Sequence, residues 1–522
     1  MLFNSVQFAG FLVTVLALYW WLVPAIARTF DRDPRRLRLW LLLVASYLFY
    51  AAWDWRFCAL LASATAVNYG VGRRLAVTAH PERRKLLLTF AVVYGLGVLG
   101  FFKYIDWGVT SFSALLEVIG MEPNAATLGL VVPWGISFFT FHTLSYAIDV
   151  YRRDIEATDD VLAFSVFVAY FPQLLAGPLT RARRMLPQLT ALPDQPDRVR
   201  WHEGGELILI GLFQKVAVAD ALAPITATLF TPQGDGPDQS WLLLVLAAVA
   251  SVVQFVLDFA GYSNIARGTS KLFGVELPYN FRQPITRSRD FQDYWRRHHM
   301  TLMAWFRDYV LRPLRRRSDG RLRSAAILVL VFVLSGLWHG ASWLWVVWGL
   351  YVGLAVAIEI EVKRRRDQAR RARRQATPAA DEGSAPGGSA PAAGPLRTER
   401  RPLPVEAAVG RIARQVGASA YVLALMAVGM VFIRSATLGD AGAFFGQVLS
   451  LSWQPIEWDT VGTFVYALAA LIVVDAREHA MEVAEGTPQA PTVARAVLWG
   501  LMVTLIVVFS GTAAEPFVYF QF

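Results

Sequence analysis

Seven histidines and a single cysteine occur in 522 residues, and one histidine stands apart by its surroundings. His339 lies in Ser335-Gly336-Leu337-Trp338-His339-Gly340-Ala341-Ser342-Trp343, between the apolar runs Ala325 to Leu334 and Leu344 to Ile358. Basic loops precede Ser324 and follow Lys363, so the chain enters from one side, turns near this histidine and returns. The helical path from Ser324 to His339 is roughly 22 Å, shorter than a hydrocarbon core about 30 Å thick. His339 is therefore expected inside a membrane. A neutral imidazole there, flanked by glycines that open the backbone, has what a general base needs; the structural alternative is a histidine satisfied by a carbonyl at a helix break.

A second cluster runs Tyr294-Trp295-Arg296-Arg297-His298-His299 and continues to Trp305-Phe306-Arg307-Asp308-Tyr309. Its mixture of aromatic and cationic side chains predicts an amphipathic helix at a membrane interface, with the arginines facing phosphate. Of the adjacent histidines, only one can face inward. Upstream, Asp258-Phe259-Ala260-Gly261-Tyr262-Ser263-Asn264 ends an apolar span; its carboxylate either pairs with an arginine of the following loop or lines a polar cavity. His142 follows Phe138-Phe139-Thr140-Phe141, where core packing is the better expectation. No Gly-x-Ser-x-Gly elbow, Walker A loop or His-Glu-x-x-His helix occurs, and no metal site is expected.

The elements that must hold these residues are apolar helices. Hydrophobic residues make up 55% of the chain and charged residues 17%, against roughly a quarter charged in soluble domains. Apolar stretches recur at about 5–25, 38–53, 56–72, 85–102, 126–149, 204–226, 240–262, 325–338, 341–361, 409–433, 460–475 and 493–511. They lack the two-residue period of barrel strands, so the fold class is all-α and polytopic, with about twelve spans plus re-entrant or interfacial pieces at 107–122 and 161–178. The net charge of +10 comes in short basic bursts between apolar runs, the pattern of cytoplasmic loops rather than of a nucleic-acid-binding face. Placing every burst in the cytoplasm puts both termini in the periplasm. Organisation follows: a membrane domain over 1–362 with the motifs in about 126–362, a basic and flexible linker over 363–408, and C-terminal transmembrane helices over 409–522. The basic part of the linker could also meet lipid headgroups.

Taken together, these motifs resemble the membrane-bound O-acyltransferases, and within them the bacterial alginate O-acetyltransferase branch. The resemblance covers nearly the whole chain: Met1-Leu2-Phe3-Asn4-Ser5, Ser46-Tyr47-Leu48-Phe49-Tyr50, Gly135-Ile136-Ser137-Phe138, Phe171-Pro172-Gln173 with Ala176-Gly177-Pro178, and the Asp258 cluster. It continues through Asn280-Phe281, the run ending in His299, Leu337-Trp338-His339-Gly340 and the closing Pro516 to Phe522. His298 stands where the family pattern has Trp, and His142 where the branch usually has Gln.

The resemblance implies His339 as the catalytic histidine and His299 as its polar partner, with Asp258, Tyr262, Asn280, Trp295, Arg296, Arg297 and Trp338 lining the substrate path. It implies transfer of an acyl group, expected as acetyl, from cytosolic acetyl-CoA as a substrate rather than a resident cofactor. The acceptor would be an exported polysaccharide or a periplasmic relay acetyltransferase, and the site a bacterial inner membrane. A transporter or flippase for an anionic substrate would also need intramembrane His and Asp. It should show repeated broken helices, and no internal repeat is found. A scaffold subunit of a polysaccharide export complex would tolerate loss of His339.

Overall fold

The computed structural model describes residues 1–121, 126–230, 240–316, 318–376, 405–485 and 492–510; most of the expected linker and the closing Pro516 to Phe522 motif lie outside them. Among the described residues the regular elements are all helical. Nine helical stretches among the described residues are long and apolar enough to cross a membrane. The chain begins with α1 (Val6–Thr29), α2 (Pro34–Asp54), α3 (Cys58–Val77) and α4 (Pro81–Val118). Then come α5 (Ile136–Arg152) and the short α6 (Val161–Ala169) and α7 (Phe171–Leu174). The central pair is α8 (Arg198–Ala227) and α9 (Trp241–Leu272). Two short helices, α10 (Phe291–Arg297) and α11 (Met300–Phe306), precede α12 (Arg321–His339) and α13 (Trp343–Ala376). The C-terminal part holds α14 (Val405–Arg434), α15 (Leu438–Ser450), α16 (Trp458–Val483) and α17 (Val493–Phe509).

Local chemistry sets the helix starts. Asp33 caps α2 by accepting from the Arg35 N–H, with Pro34 at the first helical position; Asp160 caps α6 through Leu162 and Ala163. Both are arrangements that satisfy otherwise orphaned N–H groups. The stretch expected as a span at 126–149 becomes helical only from Ile136, because Pro133 and the left-handed Gly135 interrupt it. Its first part is instead tied to α4, where the Asp106 carboxylate accepts from the N–H groups of Leu128 and Leu130. Within the weak pattern at 107–122, residues 107–118 form the last turns of α4 rather than a separate re-entrant piece. Helices α6 and α7 are short and buried, as expected of a piece that does not cross.

Ion pairs and hydrogen bonds join the basic loops to one another at one end of the bundle: Arg35 with Asp160, Arg84 with the carbonyls of Val150 and Tyr151, Arg181 with Asp308, Arg282 with Glu482, Lys363 with Asp290. In the middle, α8 and α9 approach backbone to backbone. A Cβ at Gly204 or Gly211 would collide with the carbonyl of Gly268 or Gly261, and the converse also holds. Without water to drive apolar association in lipid, such close contact supplies the packing. Two apolar cores result. One gathers α1 to α7 with Trp305 and Trp338; the other gathers α8, α9, α10 and α12 to α17 with Trp295, Trp345 and Trp348.

Candidate active site

The histidines lie at the seam between these cores. Helix α12 delivers His339 as its last residue, leaving carbonyls of its final turn without helical partners. Lys103 of α4 fills that need by donating from Nζ to the carbonyls of Trp338 at 2.5 Å and His339 at 2.9 Å. The Tyr104 hydroxyl adds a bond to the Leu337 carbonyl at 2.7 Å. Gly336 lets α13 come close enough for Trp345 to reach the histidine, since a Cβ there would strike the Trp345 carbonyl. The His339 ring stacks on Trp345, with centroids 5.2 Å apart and planes 17° apart, and meets Trp348 edge-on at 5.6 Å.

His299 arrives from the opposite direction, at the turn between α10 and α11. Its backbone is left-handed, with φ of 44°, an uncommon state for a side-chain-bearing residue and one found where a chain must redirect a functional group. His299 Nδ1 lies 3.1 Å from Asn280 Oδ1. That oxygen also accepts from the Thr301 hydroxyl at 2.8 Å, while Asn280 Nδ2 faces the Ser263 hydroxyl at 3.2 Å. Because Oδ1 only accepts, the proton of neutral His299 sits on Nδ1 and its lone pair on Nε2. Nε2 is buried and has no hydrogen-bond partner among the described residues. The rings of His299 and His339 are 6.2 Å apart. A void of about 10 Å³ lies between His298, His299, His339, Trp295 and Trp348, the size of roughly one water molecule.

The other expected residues divide. His298 lines the same void, but its Nδ1 is engaged with the Tyr294 hydroxyl at 2.9 Å. Trp338 separates His299 from the aromatic layer of Phe138 and Phe141. Asn280 positions His299, and Trp295 walls the void. Asp258 takes neither form anticipated: it pairs with Lys215 of α8 at 2.8 Å, and Lys215 also holds Asp220 at 2.8 Å. Tyr262 stacks on Phe3 at 4.4 Å. Arg296 is exposed, and Arg297 binds Asp293 at 3.2 Å, so neither reaches the histidines. Sequence reasoning missed Lys103, Trp345 and Trp348. Lys103 did carry a signal, a cation between Phe102 and Tyr104 in an otherwise apolar stretch.

Two further features surround the site. Beyond α11, Asp308 accepts from Arg181, Arg307 and Arg312 at 2.5 to 2.9 Å. Burial alone would raise its pKa, but the hydrogen bonds and charges of Arg307 and Arg181 outweigh it and bring the group down to about 2. At the basic end, a cavity of about 670 Å³ opens between α8, α9, α16 and α17, with Phe281 at its wall.

Against this geometry, comparison with known proteins is decisive. The pattern of the membrane-bound O-acyltransferase family matches residues 128–380. A probable alginate O-acetylase, AlgI, of Pseudomonas putida is 32% identical over 94% of this chain and 95% of its own length. The chain belongs to the membrane-bound O-acyltransferase family. A protein of the same description from Azotobacter vinelandii is 39% identical over 63% of this chain, which spans 64% of that relative. The peptidoglycan O-acetyltransferase of Helicobacter pylori is 30% identical over 69% of this chain and 70% of its own. The family-matched segment contains both His299 and His339, while α14 to α17 lie beyond it. The protein is thus a multi-pass membrane O-acyltransferase.

Proposed function

We propose that this acyltransferase moves acetyl groups from acetyl-CoA, across a bacterial inner membrane, for O-acetylation of an exported or cell-surface polysaccharide such as alginate. The acceptor hydroxyl belongs to the glycan itself or to a periplasmic relay acetyltransferase. The observation that carries the reading is the pair His299 and His339, 6.2 Å apart in a buried void, on a chain similar over almost its full length to an alginate O-acetylase. The void's size supports a short acyl group, since each added methylene would need space that Trp295 and Trp348 fill.

The chemistry runs as follows. The acceptor hydroxyl oxygen attacks the thioester carbonyl carbon as His339 takes its proton. The carbon–sulfur bond then breaks, and the departing thiolate recovers that proton, leaving a free thiol and an ester. His299, fixed as the Nδ1–H form by Asn280, presents Nε2 as an acceptor that holds the hydroxyl or the His339 imidazolium in register. Burial limits water, the competing nucleophile.

The test is His339→Ala beside His339→Gln, assayed by acetyl content of the exported glycan and protein level in the membrane. Both should lose activity by roughly 10²-fold or more, because an amide replaces a hydrogen bond but cannot accept a proton at neutral pH. Full acetylation by the Gln protein would overturn the mechanism and favour a scaffold role.

A further inference from the structure

Helix α12 breaks off at His339 because Gly340 leaves the helical region for an extended backbone, with φ of −150° and ψ of 145°. The Gly336 carbonyl still accepts from the Gly340 N–H at 3.1 Å, so the carbonyls of Leu337, Trp338 and His339 are the ones that lose their helical donors. All three are taken up by two consecutive residues of α4. The Tyr104 hydroxyl serves Leu337, and the Lys103 ammonium serves Trp338 and His339 together. No carboxylate pairs with Lys103 among the described residues. Its counter-charge is the helix end itself, where the partial negative charge of the last carbonyls gathers.

The helical path from Arg84, which binds carbonyls of α5 at the basic end, to Lys103 is roughly 28 Å. In a hydrocarbon core about 30 Å thick, that puts the ammonium in the far half, level with the turn that carries His339. One turn further along α4, the Trp107 ring meets Trp343 at 5.4 Å, and a turn beyond that the Ser111 hydroxyl accepts from Trp343 Nε1 at 3.2 Å. Residues 103, 107 and 111 share one helix stripe, so α4 grips the whole passage from the last carbonyls of α12 to the start of α13. The imidazole is held separately, by its stacking on Trp345. Backbone and ring of His339 thus have different supports, and the backbone support is Lys103.

We infer that Lys103 is a positioning residue for acyl transfer: by binding the Trp338 and His339 carbonyls together, its ammonium fixes the backbone from which the His339 imidazole projects. The inference rests on His339 acting as the base in the reading above. Two of the three ammonium donors go to these carbonyls, so Lys103 acts through His339 rather than on the substrate. Without the clamp the last turn of α12 frays, and a displacement of about 1 Å between reacting groups can cost about 10²-fold in rate. Tyr104 holds one carbonyl, one residue earlier, with a neutral donor, and its share is smaller.

The experiment uses the full-length protein in nanodiscs, with hydrogen–deuterium exchange over residues 335–343 as a readout independent of activity. Lys103→Met keeps the side-chain length and removes the donors. Exchange there should quicken at least about tenfold, the scale of a lost charge-assisted bond. Turnover should fall at least about tenfold in kcat while KM for acetyl-CoA stays within about twofold, because ground-state binding is untouched. Lys103→Gln, whose amide can still donate, should lie between Met and wild type, and Tyr104→Phe should be milder than Lys103→Met. Added to His339→Ala, Lys103→Met should cost no more than about twofold further, since a residue that acts through the imidazole has nothing left to position. Unchanged exchange in Lys103→Met overturns the clamp whatever the donor. Faster exchange with full turnover, or a further loss of about tenfold in the His339→Ala background, overturns the positioning role. Failure of wild type to use acetyl-CoA overturns the donor reading alone, and exchange together with acetylation of the exported glycan in cells still decides the role of Lys103.

Discussion

Replacing Asn280 by Ala removes one oxygen on which three donors converge: His299 Nδ1–H, the Thr301 hydroxyl at 2.8 Å and the Thr301 N–H at 3.3 Å. Each net hydrogen bond is worth about 0.5–1.5 kcal/mol, and a buried donor left without an acceptor costs about 1–3 kcal/mol. The two bonds longer than 3 Å sit at the low end, so a loss of about 2–4 kcal/mol in stability is expected. The effect on catalysis has a separate origin. Without Oδ1, nothing keeps the His299 proton on Nδ1, and the tautomer that places it on Nε2 occupies the acceptor position. A roughly 10²-fold fall in kcat per folded molecule follows, the scale on which a lost proton acceptor is felt. Asn280→Asp keeps an acceptor and adds a negative charge, which favours the imidazolium; the acidic limb of its pH–rate profile should move to higher pH. Thermal unfolding and turnover would be measured on the same monodisperse fraction, so that instability is not mistaken for lost chemistry. Full kcat in folded Asn280→Ala, with an unmoved profile in the Asp variant, would refute the role given to His299.

Gly336→Ala would push a methyl group onto the Trp345 carbonyl, shifting the indole stacked on His339; turnover should fall at least about tenfold while the protein still inserts, and normal turnover would refute the stacking role. Asp308 has a folded pKa of about 2, below its ordinary 3.8. The associated stabilisation is therefore present above about pH 4 and lost as pH falls through 2, and after solvent screening it amounts to about 1–2 kcal/mol. The stability gap between wild type and Asp308→Asn should narrow across that interval in a urea or thermal series, and a gap constant with pH would refute the assignment.

The apolar spans and the two histidines were readable because an imidazole inside a hydrophobic run has few uses and stands out by contrast. Lys103 does not stand out, because the apolar stretch ends at Phe102 by composition and the lysine reads as a boundary; the helix instead continues to Val118. Arg296 and Trp295 show the limit of composition. Their helix turns the indole inward and the next side chain outward, so a cluster that reads as one cationic surface is divided between core and solvent. The sequence points for Asp258 to an arginine of the following loop or to a polar cavity, but Lys215 comes from the preceding helix, and the glycine-mediated contact of α8 with α9 brings it there.

That ion cluster also bears on how the chain is made. Lys215 and Asp220 face each other because residues 213–219 form a π-helical turn, and Asp258 completes the set from α9. Entering lipid alone, each of these side chains costs a helix about 2.5–3.5 kcal/mol at its centre. Asp258 would be a burden on α9 emerging singly from the insertion machinery, whereas Lys215 and Asp220 already pair within α8. The least costly order of biogenesis retains α8 at the lateral exit until α9 has been synthesised, then releases both as a hairpin in which Lys215 already meets both carboxylates and the glycine faces are closed.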